Sequence, residues 1–224
     1  MSPVSRPDAT AVGVIFDFDG VIIDSEPLQH RAYNLALQPF GVSVDRAEYA
    51  REWIAAGRGP EHAVRTYGLS ISPTELRRLK DPLYHQLLRD EITLVPGAAA
   101  AVERLSAALP IVLATNSSAA DTGYALERFD LRRYFTAVVT REQYEGAKPL
   151  PDAFRTAAER LGLPPRRCVV IEDAWKGVQA ANAAGCPCIA FPHDYTADND
   201  VSGAQAVVRS LDEVTVALVT SLAR

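Results

Sequence analysis

Lysine is nearly missing from this chain of 224 residues: of 23 basic side chains only Lys80, Lys148 and Lys176 are lysines, and the rest are arginine. Where such a chain keeps a lysine, the position calls for a compact ammonium rather than a planar guanidinium. No run of lysine or arginine occurs, and the formal net charge is -5. The electrostatic footprint of a nucleic-acid binder is therefore lacking, as is a basic patch for an anionic membrane. Cysteine is scarce and odd in number. Cys168, Cys186 and Cys188 lie in apolar, strand-like stretches, which points to buried thiols in a reducing compartment rather than a disulfide framework or a metal site. No apolar run approaches the roughly 20 residues of a membrane helix. The polar opening "MSPVSRPDATA" leads into only a few apolar residues before Asp17, too few for the core of a signal peptide. The expectation is a cytoplasmic protein, a monomer or small homo-oligomer, whose partner is a small molecule and neither nucleic acid nor membrane.

What the chain does contain is an alternation. Continuous apolar runs at 11–16, 111–115, 137–140, 168–172 and 187–191 have the character of strands buried on both faces. Helical patterns at 98–109, 119–129, 151–162 and 175–185 lie between the later runs, and Gly162 and Gly185 stand where helix C-termini favour glycine. This order predicts an α/β fold, a Rossmann-like parallel sheet flanked by helices. A short last strand is expected at 206–208, after a polar, solvated connection "HDYTADND" beginning at His193. The first crossover is too long for a simple strand-helix-strand unit. Helical patterns at 26–41, 45–57, 60–68 and 72–91 fill it, so an all-helical domain over 24–92 is expected to be inserted into a core made of 1–23 and 93–224.

In open parallel sheets, ligands bind beyond the carboxyl ends of the strands. The first strand runs into "FDFDGV", with Asp17 and Asp19; the second into Thr115, Asn116 and Ser117; the fourth into Glu172 and Asp173; Lys148 follows the third. Singly, each has a structural reading: turn acids, helix caps, or a solvated lysine. Together they bring four carboxylates to one rim with a single ammonium. That set repels itself unless a divalent cation joins it, and all-oxygen donors favour a hard ion such as Mg2+. A phosphate group would then employ Lys148 and Thr115 opposite the cation. Two carboxylates at i and i+2 could divide the work, one attacking phosphorus and the other moving the proton of the leaving oxygen.

The segments "DFDGV", "LATNSS", "GAKPLPDAF" and "VIEDAWKGVQAA", in this order, resemble the four motifs of the haloacid dehalogenase superfamily, in its phosphatase and β-phosphoglucomutase-like branch. The resemblance implies Asp17 as nucleophile, Asp19 as general acid/base, and Thr115, Asn116 and Lys148 as phosphate ligands. It also implies Mg2+ held by Asp173 with Glu172, Asp17 and the backbone carbonyl of Asp19, and it makes the helical insert a specificity-setting cap. Asp19 favours phosphoryl transfer over dehalogenation, which needs no acid for an alkoxide. Gln29 stands where the mutases have histidine, with His30 beside it. Pro60 stands where they have a cap arginine, with Arg58 two residues earlier, whereas Lys80 resembles a cap lysine of the mutases. Gln29, Arg58 and Lys80 are the substrate-side candidates. The expectation is a phosphatase of a small phosphorylated metabolite such as a sugar phosphate, acting through an aspartyl phosphate. A phosphosugar mutase and a non-catalytic binder of a phosphorylated ligand are the alternatives. Trp53 and Trp175 read as packing residues, though Trp53, near Arg58, could line the cap face, and His62, His85 and His193 show no metal-ligand spacing.

Overall fold

A computed structural model describes residues 11–223. The polar opening segment, the first ten residues of the expected core and residue 224 lie outside the described residues. Six parallel strands, β1 (Gly13–Phe16), β2 (Ile111–Ala114), β3 (Ala137–Val139), β4 (Cys168–Glu172), β5 (Cys188–Ala190) and β6 (Ala206–Val207), form one sheet in the order β3-β2-β1-β4-β5-β6. β1 lies in the middle, with Ile15 opposite Val112 on one side and Val170 on the other. Its side chains alternate as a pleated strand requires. Val14 and Phe16 enter one apolar layer, and Ile15 the other.

Between β1 and β2 the chain inserts α1 (Glu26–Leu37), the short α2 (Arg46–Glu48), a π-helical stretch (Tyr49–Ala55), α3 (Gly59–Thr66) and α4 (Pro73–Glu91). The expected continuous helix over 45–57 is thus divided. The wider turn at Tyr49–Ala55 buries both Tyr49 and Trp53, in a helix type frequent at functional sites. α4 starts at a reciprocal cap in which Ser72 and Glu75 satisfy each other's backbone amides, with Pro73 in the first turn. Ala36, Leu37, Val44, Tyr49, Trp53, Ala63 and Leu76 build a separate apolar cluster in the insert.

The chain leaves and re-enters the sheet layer side by side. Asp24 N donates to Thr93 O and Val95 N to Ile22 O, around an antiparallel bridge between Ile23 and Leu94. After β2 the fold alternates as expected. α5 (Ala98–Ser106) precedes β2, and α6 (Ala119–Arg128) follows it. α7 (Asp152–Leu161) and α8 (Trp175–Ala184) follow β3 and β4, and α9 (Val216–Leu222) ends the described chain. Side chains of α5, α6 and α9 pack on one face of the sheet, those of α7 and α8 on the other.

One helix was not anticipated, and one expectation needs correction in part. α9 escaped prediction because "VALVTSL" is short and rich in β-branched residues, which lack a clear helical period. The stretch from His193 is solvated only in part: Asp194, Ala197, Asp198 and Asp200 are exposed as expected, but Thr196 and Asn199 are buried, and His193 is largely covered. Some of its polar groups bond within the loop and to the core. Thr196 Oγ1 accepts from His193 N, and Asn199 Oδ1 from Trp175 N. Low hydropathy marked the whole loop as exposed; hydrogen bonding is what allows part of it to be buried.

Candidate active site

Every acid and hydroxyl predicted at the sheet rim comes from the end of a strand. Asp17 follows β1 directly, and its backbone N–H still donates to Ile171 O of β4. The chain then turns tightly, with Ile22 and Ile23 both donating to Phe18 O and Gly20 to Ile23 O. Gly20 has φ +76°, and a Cβ there would lie 2.3 Å from Asp173 Oδ2. Only glycine lets the first acidic loop approach the fourth strand so closely. Phe18, between the acids, is buried in the core.

Asp17, Asp19, Thr115, Asn116, Lys148, Glu172 and Asp173 line one cavity of about 140 Å³, together with Glu26, Ala174, Lys176 and Gly177. Lys148 Nζ donates to Asp17 Oδ1 at 2.5 Å and to Glu172 Oε1 at 2.9 Å. Burial works against its charge, but those two carboxylates outweigh it and raise the pKa above the ordinary lysine range. Glu172 Oε2 accepts from the N–H groups of Asp173 and Ala174 at 2.8 and 3.0 Å. A Cβ on Gly177 would fall 1.6 Å from Glu172 Oε1, so the first turn of α8 leaves room for that carboxylate only as glycine.

Asp17 and Asp173 sit well above the usual carboxylate range. For both, burial is the main cause and the negative charge of Glu172 the next. Lys148 pulls Asp17 the other way without prevailing. Oxygens of Asp17, Glu172 and Asp173 can meet within 4.8 Å of one another. One ammonium among three buried carboxylates leaves an excess of negative charge, which a hard divalent cation fits by charge and by its preference for oxygen ligands. Asp17 Oδ2 and Asp173 Oδ1 carry no hydrogen bond among the described residues, while Asp173 Oδ2 meets His193 Nε2 at 3.0 Å.

The second aspartate has different neighbours. Asp19 Oδ1 accepts from Ser25 Oγ at 2.6 Å, and Oδ2 from Ser117 Oγ at 2.5 Å and, more weakly, from Thr115 Oγ1 at 3.4 Å. Ser25 stands at the start of α1 where a capping hydroxyl is expected, yet it makes no cap and serves Asp19 instead. The cap of α6 falls to Ser118, which frees Ser117 for Asp19. Asn116 Oδ1 accepts from Lys148 N and Tyr144 OH, which turns its amide NH2 away from both.

A wider recess of about 510 Å³ lies between the sheet rim and the helical insert. Asp19, Glu26, Gln29, Tyr33, Trp53, Lys80, Asn116, Lys176 and Asn199 are among its walls. Gln29 and Lys80, both predicted, meet here: Lys80 Nζ donates to Gln29 Oε1 at 3.0 Å and pairs with Asp81 at the same distance. Lys80 is buried, and its ammonium lies over the rings of Tyr33 and Tyr84. Arg58 is not brought to the recess, because its guanidinium is half exposed and paired with Glu52. His30 is also engaged elsewhere, bonded to Val44 O and stacked on Tyr49.

Sequence reasoning missed Ser25, Glu26, His193, Asn199 and the site-facing position of Lys176. Glu26 accepts from Tyr49 OH, and burial, then the Asp19 charge, push it up to about 7. Its nearness to the "DFDGV" turn was the available signal. The loop residues, far away in sequence, offered none.

A family model described as haloacid dehalogenase-like hydrolase matches residues 12–185. The chain is 34% identical over 174 residues to the fructose-1-phosphate phosphatase YqaB of Escherichia coli, covering 77% of this chain and 92% of that protein. It is 28% identical over 231 residues to the phosphoglycolate phosphatase of the same organism, covering 92% of each. Among solved structures, CbbY from Rhodobacter sphaeroides in complex with phosphate superimposes with a TM-score of 0.76 at 27% identity, over 92% of this chain and 98% of that one.

Proposed function

Because this chain belongs to the haloacid dehalogenase-like hydrolases, where it is a phosphatase of small phosphorylated metabolites, we propose that it hydrolyses a sugar phosphate or similar monoester through an aspartyl phosphate at Asp17. The observation that carries this reading is the contrast between the two aspartates. Asp17 is ion-paired with Lys148 in the buried acidic cluster, whereas Asp19 is oriented by the hydroxyls of Ser25, Ser117 and Thr115. Different surroundings suit different tasks.

An oxygen of Asp17 attacks phosphorus as the bond to the ester oxygen breaks, and Asp19 gives that oxygen its proton. Asp19 then takes a proton from water, whose oxygen displaces Asp17 and releases phosphate. Lys148, Thr115 and Asn116 hold the transferring phosphoryl oxygens. Asp17, Asp173, Glu172 and the carbonyl of Asp19 would hold Mg2+, which when bound would supply positive charge against the phosphoryl oxygens. Residues 24–92 serve as a cap over a core of 1–23 and 93–224, and the two adjacent linkers at 20–24 and 93–97 are its hinges.

Hydrolysis is favoured over phosphosugar isomerisation. Gln29 replaces a proton-transferring histidine, His30 is tied to Val44, and Arg58 is occupied by Glu52. The test is phosphate release from a panel of sugar, polyol and short-acid phosphates, with and without Mg2+. Wild type is expected to require the metal, and Asp17→Asn to lose activity by about 10³-fold or more. Full activity in Asp17→Asn would sink the assignment, and interconversion of hexose 1- and 6-phosphates without net phosphate release would move it to a mutase.

A further inference from the structure

Lys176 opens α8 and lines both the inner cavity and the outer recess. It therefore sits where the two join, beside the place that a substrate's ester linkage occupies if its phosphoryl group enters the inner cavity. It also reaches the insert: its Cε and Nζ lie 3.2 and 3.6 Å from the position a Cβ on Gly57 would take.

The other cations of these walls are already neutralised. Lys148 has Asp17 and Glu172, Lys80 has Asp81, and Arg77 has Glu61 at 2.9 Å. Among the described residues, Lys176 alone of these four has no carboxylate within 4.0 Å and no hydrogen bond. The acids of the recess have partners of their own. Asp19 has its hydroxyls, Glu26 has Tyr49 OH, and Asp81 has Lys80.

Two further donors lie in the walls of the recess. Trp53 and Asn199, both walls of the recess and both at least nine-tenths buried, keep donors without any acceptor at Nε1 and Nδ2. The orientation of Asn199 is fixed, because its Oδ1 must face the Trp175 N–H. Unpaired buried donors are costly. Both of those donors are sealed from solvent, so the open polar group of the recess is the ammonium of Lys176, and its missing complement is anionic.

Resting on the phosphatase reading above, we propose that Lys176 is a specificity-determining residue that binds a second anionic group of the substrate, a carboxylate or a second phosphate, close to the ester being cleaved. The substrate class is accordingly a phosphorylated acid or a bisphosphate rather than a neutral polyol or simple hexose monophosphate. Lys176 reaches from core to insert, so its engagement also ties anion binding to closure over the substrate.

The test compares kcat/KM for 2-phosphoglycolate, which carries a carboxylate, with that for glycerol 3-phosphate, which does not, in wild type, Lys176→Met and Lys176→Arg. Wild type is expected to prefer the acid, and Lys176→Met to lower the ratio of the two values at least tenfold, mainly through KM for the acid. Lys176→Arg should restore most of that ratio. An equal fall for both substrates would overturn the proposal and assign Lys176 to the transferring phosphoryl group or to folding. An unchanged ratio would overturn it as well. These outcomes are distinct from failure of the phosphatase reading itself, in which wild type releases phosphate from neither ester.

Discussion

Gly177→Ala is a substitution for which local and tertiary physics predict opposite signs. Near the start of α8, replacing glycine by alanine relieves backbone entropy and favours the helix by up to about 1 kcal/mol. In this fold the new methyl would lie 1.6 Å from Glu172 Oε1 and 1.7 Å from its Cδ, so the carboxylate must leave its position. It then gives up the bonds from Lys148 Nζ, Asp173 N and Ala174 N. Hydrogen bonds to a charged group contribute about 1.5–3 kcal/mol each. Three at the low end, less the helix gain, leave a loss of about 3 kcal/mol or more. For a chain of this size that lowers Tm by roughly 6–12 °C. Activity should fall too, because Lys148 loses one of the two carboxylates that hold it. Thermal and urea unfolding, read alongside phosphate release, check both expectations. A variant as stable as wild type, with unchanged KM, would refute the claim that Gly177 exists to make room for Glu172.

Two further outcomes follow from the charges. Lys148→Met leaves Asp17 and Glu172 buried without their cation; urea unfolding in metal-free buffer should reveal a loss of about 3–5 kcal/mol at pH 8. Part should return at pH 5, as the stranded carboxylates take up protons. Glu26 titrates near 7 in the folded chain against an ordinary value of 4.5. The folded state therefore binds more protons than the unfolded state between those values, and stability attributable to this group falls as pH rises from about 4.5 to 7. Glu26→Gln should flatten that part of the stability-pH curve, as measured by denaturant midpoints at pH 5, 6 and 7.5; an unaltered slope would show that Glu26 is not the titrating group.

The sheet was legible because its strands are short continuous apolar runs, rich in valine and isoleucine, that alternate with helical patterns. The insert was legible by subtraction: too many residues separate β1 from β2, and their period is helical. Asp17, Asp19, Thr115, Lys148, Glu172 and Asp173 could be gathered from sequence since a parallel sheet delivers all strand ends to one edge. What stayed hidden depends on contacts across long stretches of chain. Ser25 looks like a helix cap and is instead a ligand of Asp19. His193 and Asn199 sit in a polar loop that hydropathy assigns to solvent, and their hydrogen bonds to Asp173 and Trp175 account for their being covered. Arg58 was near the right place in sequence, but its side chain turns to Glu52.

The three acids able to meet a cation are not equivalent. Glu172 has donors on both oxygens, Lys148 on one and two backbone amides on the other. Asp17 and Asp173 each keep an oxygen without a hydrogen bond among the described residues. A cation would compete with fewer existing partners at those two, which would make them its stronger anchors. Glu172 is better suited to fix Lys148 beside Asp17 than to supply most of the metal's charge. Under the proposed mechanism, Glu172 thus couples the cation side of the phosphoryl group to the lysine side. Gly177 is the space that coupling requires, which is why a methyl group on the far side of Glu172 should be felt at the ammonium of Lys148.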